Sequence, residues 1–160
     1  MKFYLILPDI RSCHNVGAMF RTADAFGVDM IYLTGYTPCP PKPQIDKVSL
    51  GAETWVPWKH YQNLKRLIGE LKKKKVFIVG LEKTETSSEI SNKIETEIKI
   101  DNEKDIALIV GNEVDGIKPE ILKLCNLVVH IPMYGKKESL NVSIAAGIAM
   151  YVIHKITINP

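Results

Sequence analysis

The sequence predicts an α/β protein, a mostly parallel sheet flanked by helices. Three observations carry that expectation. Short apolar, β-rich runs alternate along the chain with stretches whose apolar residues recur at helical spacing. Ile106–Val110 is apolar throughout, as a strand buried on both faces is. Polar junctions follow several of the strands, and open α/β sheets bind ligands outside the carboxyl ends of their strands.

Each element has a local reason. Lys2–Leu7 is apolar and β-rich and reads as the first strand, and Pro8–His14 as a loop. Asn15 as N-cap and Gly27 as a C-terminal stop frame a helix over Val16–Phe26. Met19, Phe20, Ala23 and Phe26 share its apolar arc, so Arg21 points away from the core, above a glycine, Gly17, that leaves room for something to approach. Met30–Thr34 is the second strand. Gly35–Pro57 holds more than half of the nine prolines and reads as a long functional loop, with one short helical turn in Ser49–Glu53. Trp55 and Trp58 are expected to pack that loop onto the body.

Tyr61–Lys75 reads as a helix with Leu64, Leu67, Ile68 and Leu71 as its apolar stripe. Lys72–Lys75 complement the dipole at its end. Lys75–Leu81 is the third strand. Glu82–Asp105 is polar, and weak alternation in Ile94–Ile100 suggests a peripheral strand or a loop. Ile106–Val110 is the fourth strand, and Ile117–Leu124 a short helix with Pro119 in its first turn. Leu127–Ile131 is the fifth strand, ended by Pro132, which cannot donate to a ladder. Ser139, Asn141 and Ser143 are possible caps for a closing helix in which Val142, Ala145, Ala146, Ala149 and Val152 recur at helical spacing.

Size and composition narrow the function. A chain of 160 residues, 46% hydrophobic and 24% charged, is expected to fold as one domain over residues 1–160 with no need of a metal. The net charge of +3 permits nucleic acid without requiring it. Cys13, Cys39 and Cys125 are widely spaced and form no Cys-x-x-Cys pair, so reduced thiols in the cytoplasm are expected. No apolar run approaches the ~18 residues of a membrane span. A Gly-x-Gly-x-x-Gly fingerprint, a phosphate-binding Gly-x-x-x-x-Gly-Lys loop and a Gly-x-Ser-x-Gly elbow are all missing. That argues against a dinucleotide-dependent oxidoreductase. Cys13-His14 are sequence neighbours, a poor arrangement for a nucleophile and its base.

Three polar junctions remain: Asn15-Val-Gly-Ala-Met-Phe-Arg21, Gly111-Asn-Glu-Val-Asp-Gly116 and Glu138-Ser-Leu-Asn-Val-Ser143. In a parallel sheet all three lie at one end and offer Asn15, Arg21, Asn112, Glu113, Ser139 and Asn141 to a common crevice.

Taken in order, Asn15-x-Gly-x-x-x-Arg21, Gly111-Asn-Glu-x-x-Gly116 and Ile131-Pro-Met followed by Ser139-Leu-Asn-Val-Ser143 resemble the SpoU (TrmH-type) family of the SPOUT superfamily. The likeness runs from about residue 3 to 154. It implies an S-adenosylmethionine-dependent RNA ribose 2′-O-methyltransferase, a C-terminal deep trefoil knot and a homodimer built on the first and last helices. The resemblance also implies a cofactor held mainly by backbone at Leu81, Gly111, Ile131, Met133 and Leu140. Arg21 would be the essential catalytic residue, as a base or as an electrostatic clamp. Asn15 would orient it or the RNA, Glu113 would fix the Arg or the ribose, and Ser139 and Asn141 would bind the target nucleotide. Many relatives carry an N-terminal RNA-binding extension, so a minimal single-domain member is expected. Transfer RNA is the first expected substrate and ribosomal RNA the second. A non-catalytic RNA-binding module is the rival reading. Arg11, Lys42, Lys47, Lys136 and Lys137 are candidate phosphate contacts.

Overall fold

The computed structural model describes residues 1–99 and 104–158. Its elements, in chain order, are β1 (Phe3–Pro8), α1 (Cys13–Ala25), β2 (Met30–Thr34), α2 (Pro43–Ser49), α3 (Ala52–Trp55), β3 (Trp58–Tyr61) and α4 (Leu64–Lys73). They continue with β4 (Phe77–Leu81), β5 (Ser88–Glu89), α5 (Ile90–Lys99), β6 (Ile106–Val110), α6 (Pro119–Leu122), β7 (Leu127–His130) and α7 (Val142–Ile158). The seven strands form one sheet in the order β3-β2-β1-β6-β4-β7-β5. Every paired neighbour is parallel. This is the α/β architecture that the alternating pattern predicts.

Strand periodicity explains the two cores. Successive side chains face opposite sides. Leu5 and Leu7 of β1, with Leu108 of β6, face α1, α2, α5 and α7. Ile6, Ala107 and Ile109, one residue out of phase, face α4 and α6. Both sides are covered, so the central strands are apolar throughout.

The structure departs from the sequence reading in five places. First, α1 begins earlier than Asn15. Ser12 is its N-cap, accepting from the Asn15 backbone N–H, and Asn15 sits buried inside the first turn. Second, the proline-rich stretch is not one loop. Pro43 starts α2, and Leu50 (φ 52°) and Gly51 (φ 97°), both left-handed, break it from α3. What approaches Gly17 is α2: a Cβ there would lie 2.6 Å from the Ile45 carbonyl oxygen.

Third, Trp58–Tyr61 is an edge strand, and α4 starts only at Leu64, where the Asn63 side chain accepts from the Arg66 N–H at 3.0 Å. Fourth, the alternation in Ile94–Ile100 is helical. Ile90 and Ile94, one turn apart, are both buried in α5, while Ile100 lies outside the described residues. Fifth, the tryptophans differ. Trp58 packs against the core, but Trp55 stays exposed and donates its indole N–H to Asp24 at 2.8 Å. Among the described residues no helix is long and apolar enough to cross a membrane.

Candidate active site

Three loops at the carboxyl end of the sheet surround a cleft of about 510 Å³. They follow β4, β6 and β7, which are adjacent in the sheet. β7 ends at His130, two residues before Pro132, and the chain between it and α7 lines the cleft at Ile131, Met133 and 138–141. Leu81, Gly111, Ile131, Met133 and Leu140, the expected cofactor residues, all line it. So do Glu113, Ser139 and Asn141. Eight of the lining residues carry apolar side chains, and Glu82, Glu113, Asp115 and Glu138 bring carboxylates.

The β6–α6 turn is built for close approach. The Asn112 side-chain carbonyl accepts from Val114 N–H at 2.9 Å and Asp115 N–H at 2.7 Å. Asn112 and Gly116 exchange backbone hydrogen bonds of 3.3 Å. A Cβ on Gly111 would lie 2.7 Å from the Gly116 Cα and 2.9 Å from a Glu82 carboxylate oxygen, so glycine is required there. Glu82 itself accepts from the Ile117 N–H at 2.8 Å and also lines the cleft. The sequence motifs reach Leu81 and do not point to this next residue. Its only signal was a carboxylate one step past a strand end.

Asn15 ties the junctions together. Its side-chain N–H donates to Glu113 Oε1 at 2.9 Å, and its Oδ1 accepts from Asn141 Nδ2 at 3.2 Å. Glu113 further accepts from Ser12 N–H at 3.2 Å and Arg11 N–H at 3.1 Å. Desolvation alone would raise its pKa. The donors from Arg11, Asn15 and Ser12 together outweigh that and hold the carboxyl below its ordinary value. Asn141 has a second duty: its Oδ1 accepts from Ser143 N–H at 2.9 Å and Ser143 Oγ at 2.7 Å, capping α7. The cap and the junction are therefore one residue. Ser12, the N-cap that frees Asn15 for this role, was the other residue the sequence reading missed.

Arg21 stands apart. It is exposed on α1, six residues beyond Asn15, which is a rise of ~9 Å and roughly two-thirds of a turn out of phase. It does not line the cleft of its own chain. Its neighbour Thr22 packs on Gly147 of α7. On that helix Ile144, Ile148 and Tyr151 are exposed at one-turn spacing. Arg11, Lys42, Lys47, Lys136 and Lys137 are exposed as well. Among the described residues no group of three His, Cys, Asp or Glu side chains is placed to hold a metal ion.

Comparison with known proteins agrees with this geometry. The profile described as the SpoU rRNA Methylase family matches residues 2–151. The chain is 36% identical over 151 residues to the 23S rRNA (guanosine-2′-O-)-methyltransferase RlmB of Coxiella burnetii, covering 94% of this chain and 57% of that one. It is 32% identical over 153 residues to the putative TrmH family tRNA/rRNA methyltransferase YacO of Bacillus subtilis, covering 96% and 58%. It superposes on the AdoMet-bound rRNA methyltransferase from Sinorhizobium meliloti with a TM-score of 0.85 at 27% identity, over 96% of this chain and 56% of that one. The TrmH/SpoU tRNA modifying enzyme of A. aeolicus gives 0.82 at 28% identity, over 97% and 75%. The chain spans just over half the length of the curated relatives it matches.

Proposed function

The chain belongs to the SpoU rRNA Methylase family, and from that premise we propose that it transfers a methyl group from S-adenosylmethionine to a ribose 2′-hydroxyl of RNA. One observation carries the reading. The hydrogen-bonded set Asn15–Glu113–Asn141 joins three strand-to-helix junctions beside a cleft of suitable size and lining.

The residues suit the methyl donor. Leu81, Ile131, Met133 and Leu140 offer apolar contact, and the closely approaching backbone at Gly111 offers main-chain groups. When bound, S-adenosylmethionine supplies an electrophilic methyl on a sulfonium. The protein's part is to hold a sugar oxygen in line with it, which can contribute up to ~7–11 kcal/mol. Glu113, ionised and fixed by three donors, accepts from the ribose or steadies the arginine. Ser139 and Asn141 contact the target nucleotide. Arg21 carries a guanidinium with five N–H donors and no acceptor, so it is a poor base. It serves better as a two-pronged clamp on a phosphate that also stabilises the developing alkoxide.

Arg21 does not reach the cleft of its own chain, so the reading includes a homodimer docked through α1 and α7. The exposed Ile144, Ile148 and Tyr151 support it. It also includes a knotted C-terminal path and a single catalytic domain working in the cytoplasm. Transfer RNA suits a compact dimer, and the relatives named as 23S rRNA methyltransferases favour ribosomal RNA as the second reading. The test uses RNA from cells lacking this chain. Labelled S-adenosylmethionine should place the label on ribose, and nucleoside mapping then separates the two RNAs. Label on a base, or on no RNA, refutes the proposal.

A further inference from the structure

Two large aromatic side chains near the cleft bury little in the protein itself. Tyr134 is 91% exposed and directly follows Met133 of the cleft wall. Nothing approaches Gly135 behind it, and Lys136 and Lys137, both exposed, come next. Tyr36 is 57% exposed and directly follows Gly35 at the end of β2. Its backbone N–H donates to Asp9 Oδ1 at 3.2 Å, and its phenol sits beside the Arg11 guanidinium. The Arg11 backbone N–H in turn donates to Glu113. Tyr36 also borders a hollow of about 310 Å³ that Asp9 and Gln62 line. Arg11 thus links Tyr36 to Glu113 of the cleft wall, and Tyr134 adjoins Met133 of that wall with Lys136 and Lys137 following it in the chain.

An exposed ring gains no packing in the free protein. Its chemical neighbours suggest what covers it. Tyr134 follows Ile131, Pro132 and Met133 and leads into Gly, Lys, Lys, Glu and Ser, and the charged run beside the exposed ring disfavours a protein hot spot. Aromatic faces set beside cations suit a polyanion with free π-faces, which is single-stranded nucleic acid. Paired bases keep their faces inside the stack and cannot use such a ring.

We propose that Tyr134 and Tyr36 are stacking shelves that hold unpaired bases of the substrate RNA next to the ribose offered to the cleft. Arg11, Lys136 and Lys137 take the phosphates between them. The substrate class is therefore an RNA segment with unpaired bases close to the modified nucleotide. This rests on the methyltransferase reading for the ribose, while the shelves themselves rest on the geometry above.

Two measurements test it on the full chain. In the first, labelled methyl transfer to RNA from cells lacking the chain is followed against RNA concentration. Tyr134→Ala and Tyr36→Ala should each raise the half-saturating RNA concentration about five- to 150-fold, and Tyr134→Phe should stay near wild type. Binding of S-adenosylhomocysteine should not change. In the second, a short labelled RNA is offered as a single strand and as a duplex. The wild type should prefer the single strand, and both alanine variants should lose that preference. Wild-type half-saturation in the alanine variants, or no single-strand preference, overturns the shelves. So does a Tyr134→Ala protein that loses S-adenosylhomocysteine in proportion or falls to a monomer, since Tyr134 then serves the cleft or the interface. A wild type that prefers single strands yet transfers no methyl refutes the methyltransferase reading and leaves the shelves standing.

Discussion

Replacing Glu113 with glutamine removes one charge and almost no volume, so its effect isolates the hydrogen bonds that join the junctions. The carboxylate accepts from Ser12 N–H, Arg11 N–H and the Asn15 side chain. A charged acceptor contributes about 1.5–3 kcal/mol per bond and a neutral one about 0.5–1.5 kcal/mol. The introduced amide keeps one carbonyl oxygen and turns an NH₂ toward at least one of these donors. Two bonds weaken and one becomes a donor facing a donor, about 3 kcal/mol in a dry site. Glu113 is exposed, so screening by water reduces this to about 1–2 kcal/mol, or about 2–8 °C in Tm for a chain of this length.

The pH dependence gives the sharper check. The folded carboxyl titrates below its ordinary 4.5, because its donors together outweigh desolvation. A group depressed in the folded state contributes stability above its unfolded pKa and loses it as the pH falls through the folded one. The gap between wild type and Glu113→Gln should stay constant from neutral pH down to about pH 5 and close below it. Urea unfolding of both proteins across that range measures the gap. A gap unchanged at about pH 3.5, or none at neutral pH, refutes the reasoning.

Two other substitutions probe separate surfaces. Gly17→Ala sets a Cβ 2.6 Å from the Ile45 carbonyl oxygen and 3.0 Å from the Val48 Cβ. Overpacking of about 1–3 kcal/mol exceeds the helix gain of up to about 1 kcal/mol, so Tm should fall while S-adenosylhomocysteine affinity, measured by calorimetry, holds. An unchanged Tm contradicts the packing role. Ile148→Asp puts a charge on the exposed α7 stripe and should yield a monomer by light scattering, whereas a dimeric mass removes α7 from the interface.

What the sequence made legible follows from which signals are local. β1 and β6 announce themselves because a parallel strand is buried on both faces and must be apolar at every position. β3 and β5, four and two residues long at the two edges of the sheet, carry too short a pattern to read. α2 hid behind prolines, although Pro43 is itself a helix-start signal at the first position. Asn15 reads as a cap because Asn and Ser cap equally well, and only Glu113, 98 residues away, decides between them. The cleft residues were legible through family motifs, and Glu82, outside those motifs, was not.

Arg21 is the residue that one chain cannot explain, and that makes its test decisive. It shares α1 with Asn15 yet lies outside the cleft. If a second copy docks through α1 and α7, its guanidinium serves the neighbour's cleft. Two inactive proteins should then rescue each other. Arg21→Ala keeps its cleft and loses its arginine, while Leu140→Arg blocks its cleft and keeps its arginine. Random mixing of equal amounts makes half of the dimers mixed, and each mixed dimer has one complete site of two, so about a quarter of wild-type methyl transfer should return. An arginine acting within its own chain predicts none, because no subunit then holds both an open cleft and Arg21. Refolding the two variants together and measuring label on ribose separates the cases, and a mixture as inactive as its parents means that Arg21 does not act across the dimer.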